Sequence, residues 1–162
     1  MSTSDLYRVY RTRATHVAEM QNGWGTGPVV WRHLVIRFLG RDPHDYLRDN
    51  DQELYRLAFD PRVPRPLRLA QAFCADLAFC PFARLEEFAD ACRAVYDMTS
   101  NGRQVNHWAT IASLLRGLRK QPRQLGVALS CTSICDPWLH WRPQRTGKPW
   151  DIFAYIEQRA AA

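Results

Sequence analysis

The densest chemistry in the sequence lies in its last third, where Trp138, His140, Trp141, Arg142, Arg145, Lys148 and Trp150 interleave indoles with cations. Aromatic faces stack on unpaired bases or anchor a protein interface, so the mixture suits docking on a macromolecule. Upstream, Arg116, Arg119, Lys120 and Arg123 crowd the end of the segment that carries Trp108. There their charge complements a helix dipole and can equally face phosphates. The candidate partner-binding residues are therefore Arg116, Arg119, Lys120, Arg123, Trp138, Trp141, Arg142, Arg145 and Lys148. The competing explanation is that the tryptophans pin a long loop against the core.

Other constellations are weaker. Cys131, Cys135 and His140 are zinc-ligand types, but their C-x3-C-x4-H spacing matches no common structural zinc pattern and a fourth ligand is not evident. No cofactor is expected, and the three are read as ordinary residues. Asp42, Asp45, Asp49, Asp51 and Glu53, with His44 beside them, lack the glycine and the register of a calcium loop, so they are expected to cap short helices. Glu86, Glu87 and Asp90 are expected to form a solvated face. Gly23-Trp24-Gly25-Thr26-Gly27 has the glycine content of a phosphate loop. It follows a predicted helix where a phosphate loop follows a strand, lacks the Gly-Lys-Ser/Thr ending, leads into Pro28, which has no N–H to give, and reads as a helix-to-helix turn. Gly-x-Ser-x-Gly is absent, and the histidines are scattered singly.

Composition narrows the class. With 46% hydrophobic and 23% charged residues over 162 positions, the chain is long enough to hide a self-sufficient core. No run approaches the ~20 apolar residues that span a bilayer, and the first ten residues lack the layout of a signal peptide. Five unevenly spaced cysteines read as reduced, buried thiols, which points to the cytoplasm. The net charge of +6 is almost wholly arginine, Lys120 and Lys148 being the only lysines. The guanidinium fork suits phosphate and carboxylate partners.

The elements that must position these residues read as a mainly α, single compact domain over 1–162, with about six to seven helices. Leu6, Tyr10, Val17 and Met20 predict a first helix from Ser4 to Gln21, which places Arg13 on its apolar face and suggests an ion pair with Asp76. Pro28 opens a second helix with Trp31, Leu34, Val35 and Phe38 inward, ended by Gly40, and with Arg32, His33 and Arg37 outward. The stretch 42–59 reads as one broken or two short helices, and Pro61, Pro64 and Pro66 as a stiff connector. The almost wholly apolar Leu67–Phe79 predicts the central helix, closed by Cys80-Pro81. Phe82, Leu85, Ala89, Cys92 and Tyr96 mark the inner side of the next one, and Val105, Trp108, Ile111, Leu115 and Leu118 that of another. Near 126–135 the pattern fits a helix or irregular segment, or one short buried strand. A last helix is expected from Trp150 to Gln158.

Together these features point to a small intracellular, non-catalytic binding or regulatory protein whose basic, Trp-bearing surface meets an acidic protein surface or a nucleic acid, with no membrane partner. Small, basic domains without motifs are often carried by phages or mobile elements. The alternative is a small enzyme with an unrecognised site, such as a metal-dependent hydrolase.

Overall fold

The computed structural model describes residues 3–47, 52–74, 78–131 and 151–160. Its first element overturns the predicted opening helix. Strands β1 (Ser4–Tyr10) and β2 (Ala14–Met20) form an antiparallel hairpin around Arg11–Arg13, closed by a Tyr10 N–H to Arg13 carbonyl bond of 2.8 Å. The helical reading failed for a physical reason. Leu6 and Tyr10, four apart, satisfy a period of two as well as one of 3.6. Val17 and Met20, three apart, both pack toward the core because pairing jumps from Leu6↔Ala18 to Tyr7↔His16 and leaves Val17 as the extra residue of a bulge.

The hairpin belongs to a four-stranded antiparallel sheet of order β2-β1-β4-β3. Strand β4 spans Gln124–Ser130 and pairs with β1, and the two-residue β3 (Cys80–Pro81) pairs with β4. The expected mainly α architecture is therefore corrected to a mixed α and β fold. The reading of 126–135 as helix or irregular gives way, as far as Cys131, to strand. From Gly126 to Ser130 every residue of β4 is buried, since the strand lies between two neighbours with both faces covered, so the alternation that betrays a strand is erased. Cys80-Pro81 is likewise an edge strand rather than a helix stop. Gly126 is required there: a Cβ would stand 2.0 Å from the Cys80 carbonyl oxygen.

Six α-helices occur among the described residues: α1 (Gly27–Leu34), α2 (Gln52–Arg56), α3 (Arg65–Cys74), α4 (Leu85–Thr99), α5 (Trp108–Gly117) and α6 (Ile152–Ala160). Helix α1 runs on into a wider turn over Val35–Leu39 before Gly40. Leu6, Met20, Val127 and Leu129 from the sheet meet helical residues from Val29 to Ile156 in one apolar cluster. Helix α3 lies at its centre, as the apolar run implied, with every residue from Leu69 to Cys74 buried. Its Phe73 ring meets Phe88 of α4 edge-on at 4.6 Å, and full burial of such a side chain stabilises by roughly 1.5–3 kcal/mol. Leu85, Ala89 and Cys92 of α4 and Trp108, Ile111 and Leu115 of α5 are buried as their spacing requires. Val105 departs from that stripe, preceding α5 with 48% of its surface exposed. Helix α6 starts where Asp151 accepts a 2.7 Å bond from the Ala154 N–H. Among the described residues no helix is long and apolar enough to cross a membrane.

Candidate functional site

Antiparallel pairing sets the end of β1 beside the start of β4, with Tyr10 opposite Gln124. That register brings the hairpin turn Arg11–Arg13 against the loop that follows α5. Tyr10, Arg11, Thr12, Arg13, Pro122 and Arg123 line an open cleft of about 540 Å³. Arg11, Arg13 and Arg123 are exposed, as are Arg119 and Lys120 on the same loop as Arg123. Among the described residues none of these cations is held in an ion pair. Arg13 stacks over the Tyr10 ring at 4.7 Å, and Lys120 reaches over Phe82 at 5.8 Å.

Two polar side chains fix the geometry. Arg8 Nη1 donates to the Arg119 carbonyl at 2.8 Å and to Gln124 Oε1 at 3.0 Å. The buried Gln124 accepts from the Gln121 N–H at 3.1 Å and donates through Nε2 to the Gly126 carbonyl at 3.0 Å. Within this frame Gln121-Pro122-Arg123-Gln124 turns with a Gln124 N–H to Gln121 carbonyl bond of 3.1 Å, and Arg123 adopts φ 62°. Proline followed by a left-handed residue is the layout of a type II turn, whose third position favours glycine. An arginine there costs about 1 kcal/mol. A second distortion follows at once: pairing skips Leu125, a bulge at the mouth of the cleft.

The sequence groups Arg119, Lys120 and Arg123 with Arg116 at the end of the Trp108 helix; the fold sets these three in the loop between α5 and β4. The sequence reading missed Arg11 and Arg13, because a helix from Ser4 would have scattered them. The polar break Arg11-Thr12-Arg13 between two seven-residue runs was the signal that could have found them. Arg13 sits in a turn and not on an apolar helix face; Asp76, its suggested partner, lies outside the described residues. Arg116 belongs elsewhere. It bonds Glu86 at 2.9 Å and also Asp90, which ties α5 to α4, neutralises its charge and holds the guanidinium more firmly protonated. Trp138, Trp141, Arg142, Arg145 and Lys148 lie outside the described residues, as do Cys135 and His140.

The other candidates resolve into structural roles. The Gly23–Gly27 segment follows strand β2 and not a helix, so the helix-to-helix turn is corrected to a strand-to-helix connection. Its interior is occupied by protein. His107 donates its backbone N–H to the Gly25 carbonyl at 2.8 Å and its Nε2–H to the Gln21 carbonyl at 2.8 Å. A Cβ on Gly25 would strike the His107 ring at 2.5 Å, so this glycine admits an imidazole. Trp108 Nε1 donates to the Thr26 carbonyl at 3.2 Å, and the Thr26 hydroxyl donates to Gly23 while accepting from buried Ser4. Beside this clamp a smaller pocket of about 160 Å³ is walled by Trp24, Arg32 and Val105.

Among the acidic residues, Asp42 accepts the His44 N–H at 2.8 Å and Glu53 pairs with Arg41. Glu87 is held by Arg84 at 2.8 Å and by Arg65 at 2.7 Å, bonds that keep its carboxyl below the usual range. Cys80 and Cys92 are buried, and burial pushes both thiols up. Among the described residues no three His, Cys, Asp or Glu side chains are grouped to hold a metal.

Fold and site thus define a mixed α and β fold that presents exposed arginines, without an ion pair among the described residues, at one end of its sheet. The chain matches no protein-family model, no curated protein and no solved structure.

Proposed function

We propose that this protein is a non-catalytic binding module that docks the basic end of its sheet on the phosphate backbone of a nucleic acid. The observation that carries the reading is the convergence of Arg11, Arg13 and Arg123 from two separate loops on one cleft, with Arg119 and Lys120 exposed on the second loop and no carboxylate among the described residues paired with any of the five. Side chains that already have protein partners, such as Arg116 and Arg84, give little to a ligand. Free cations held on a braced loop release counterions when phosphates replace them. Among the described residues the cleft lining carries arginines and a tyrosine but no histidine, cysteine or carboxylate to move a proton at neutral pH, which favours binding over catalysis.

The test compares two variants of equal net charge. Arg11→Glu with Arg13→Glu should abolish binding to a mixed-sequence oligonucleotide measured by fluorescence anisotropy. Arg37→Glu with Arg103→Glu, both exposed and away from the cleft, should leave most of it. Equal losses would mean that only net charge matters and would overturn the assignment. Binding of poly-glutamate in place of any oligonucleotide would assign the surface to an acidic protein instead.

A further inference from the structure

The geometry points to a single-stranded nucleic acid, with one unpaired nucleotide seated in the cleft between the hairpin turn and the Gln121–Gln124 turn, its base against Tyr10 and its phosphate on Arg123 and Arg11. This rests on the nucleic-acid reading above and narrows it.

Shape is the first argument. A duplex offers its phosphates on a convex surface and keeps its bases stacked inside, whereas a cleft of about 540 Å³ has the size of a small-molecule site. An unpaired nucleotide fits such a concavity, whereas a base stacked within a duplex is not free to enter it. Chemistry is the second. The lining combines guanidinium groups with Thr12, the Tyr10 ring and Pro122, so it offers anion donors and a flat apolar wall within one concavity. Arg13 lies over the Tyr10 ring at 4.7 Å, so the site already holds a cation–aromatic layer of the kind on which single-stranded bases stack.

The third argument is strain. Arg123 stands at φ 62° in a turn position suited to glycine, and the bulge at Leu125 follows it. Strained backbone persists where surrounding structure imposes it, and it gathers at ligand sites. Gln124, bonded to Arg8, Gln121 and Gly126, supplies that surrounding structure. The chain holds an arginine where a glycine would relax the turn, and the side chain it gains lines the cleft.

Arg123→Gly separates the two roles of this residue. The variant should melt at the same temperature as the parent or higher, and should bind a fluorescein-labelled oligothymidylate of about 12 nucleotides several-fold more weakly. Tyr10→Leu should weaken the same probe by about fivefold or more, the loss expected of one stacked base, while leaving inorganic polyphosphate binding unchanged. Duplex of equal length should bind more weakly than the single strand to the parent protein.

Equal affinity for duplex and single strand, or equal effects of Tyr10→Leu on oligothymidylate and polyphosphate, would overturn the nucleotide subsite while leaving the backbone-docking reading intact. No binding of either nucleic acid would remove both. Full single-strand affinity in Arg123→Gly would show that the strained turn serves no ligand.

Discussion

Replacing Arg11, Arg13 and Arg123 together with alanine should flatten the salt dependence of binding by an amount that the structure sets in advance. Five exposed cations lie on the two loops: Arg11, Arg13 and Arg123 line the cleft, and Arg119 and Lys120 share the loop of Arg123. If each meets one phosphate of a single strand, log K against log salt falls with a slope of about −3.5, at roughly 0.7 per phosphate. Raising salt from about 50 to about 200 mM then weakens the parent about a hundredfold. With only Arg119 and Lys120 left, the slope becomes about −1.4, and the same change costs about sevenfold. Anisotropy titrations at four or more salt concentrations read both slopes, with circular dichroism confirming that the variant folds. These three side chains make no hydrogen bond or ion pair among the described residues, so folding should survive. A triple variant that binds more weakly but keeps the parent slope would refute the reasoning, because its loss would then not come from phosphate contacts.

Three further outcomes test the fold that positions the site. Gly126→Ala should destabilise by about 3 kcal/mol in urea unfolding, because its Cβ would press on the Cys80 carbonyl of β3, the strand paired with β4; a change near zero would contradict that pairing. Trp108→Phe should cost about 1–3 kcal/mol, from the void it leaves in the core and the lost bond to Thr26, and a neutral result would contradict the clamp on the Gly23–Gly27 segment. Burial first and Arg37 second hold His33 below its ordinary 6.5. The unfolded chain therefore takes up a proton before the folded one as pH falls. Stability should decline from about pH 6.5 down to the folded value and then level off, and His33→Gln should remove that step from the urea midpoint.

How much of this could be read from residues alone depended on how many faces each element buries. Helices α4 and α5 bury one stripe, and both were legible down to Cys92 and Leu115. Helix α3 was legible because it is surrounded. The sheet was not. In β4 both faces are covered and alternation vanishes, and in the hairpin the bulge at Val17 changes a period of two into a spacing of three. Losing the hairpin hid two of the five cations, since Arg11 and Arg13 meet Arg123 only through the β1–β4 pairing. Arg116 shows the converse. Its charge was visible in the sequence, but its capture by Glu86 and Asp90 needed the packing of α4 on α5.

The most direct measurement is a backbone amide chemical-shift map of the full chain during titration with short oligothymidylate. Binding at the end of the sheet predicts the largest shifts at Tyr10–Arg13 and Arg119–Gln124, fading toward Ser4 and Ser130. Shifts concentrated on the Trp24 pocket or on α2, with the two arginine-bearing turns unmoved, would contradict it.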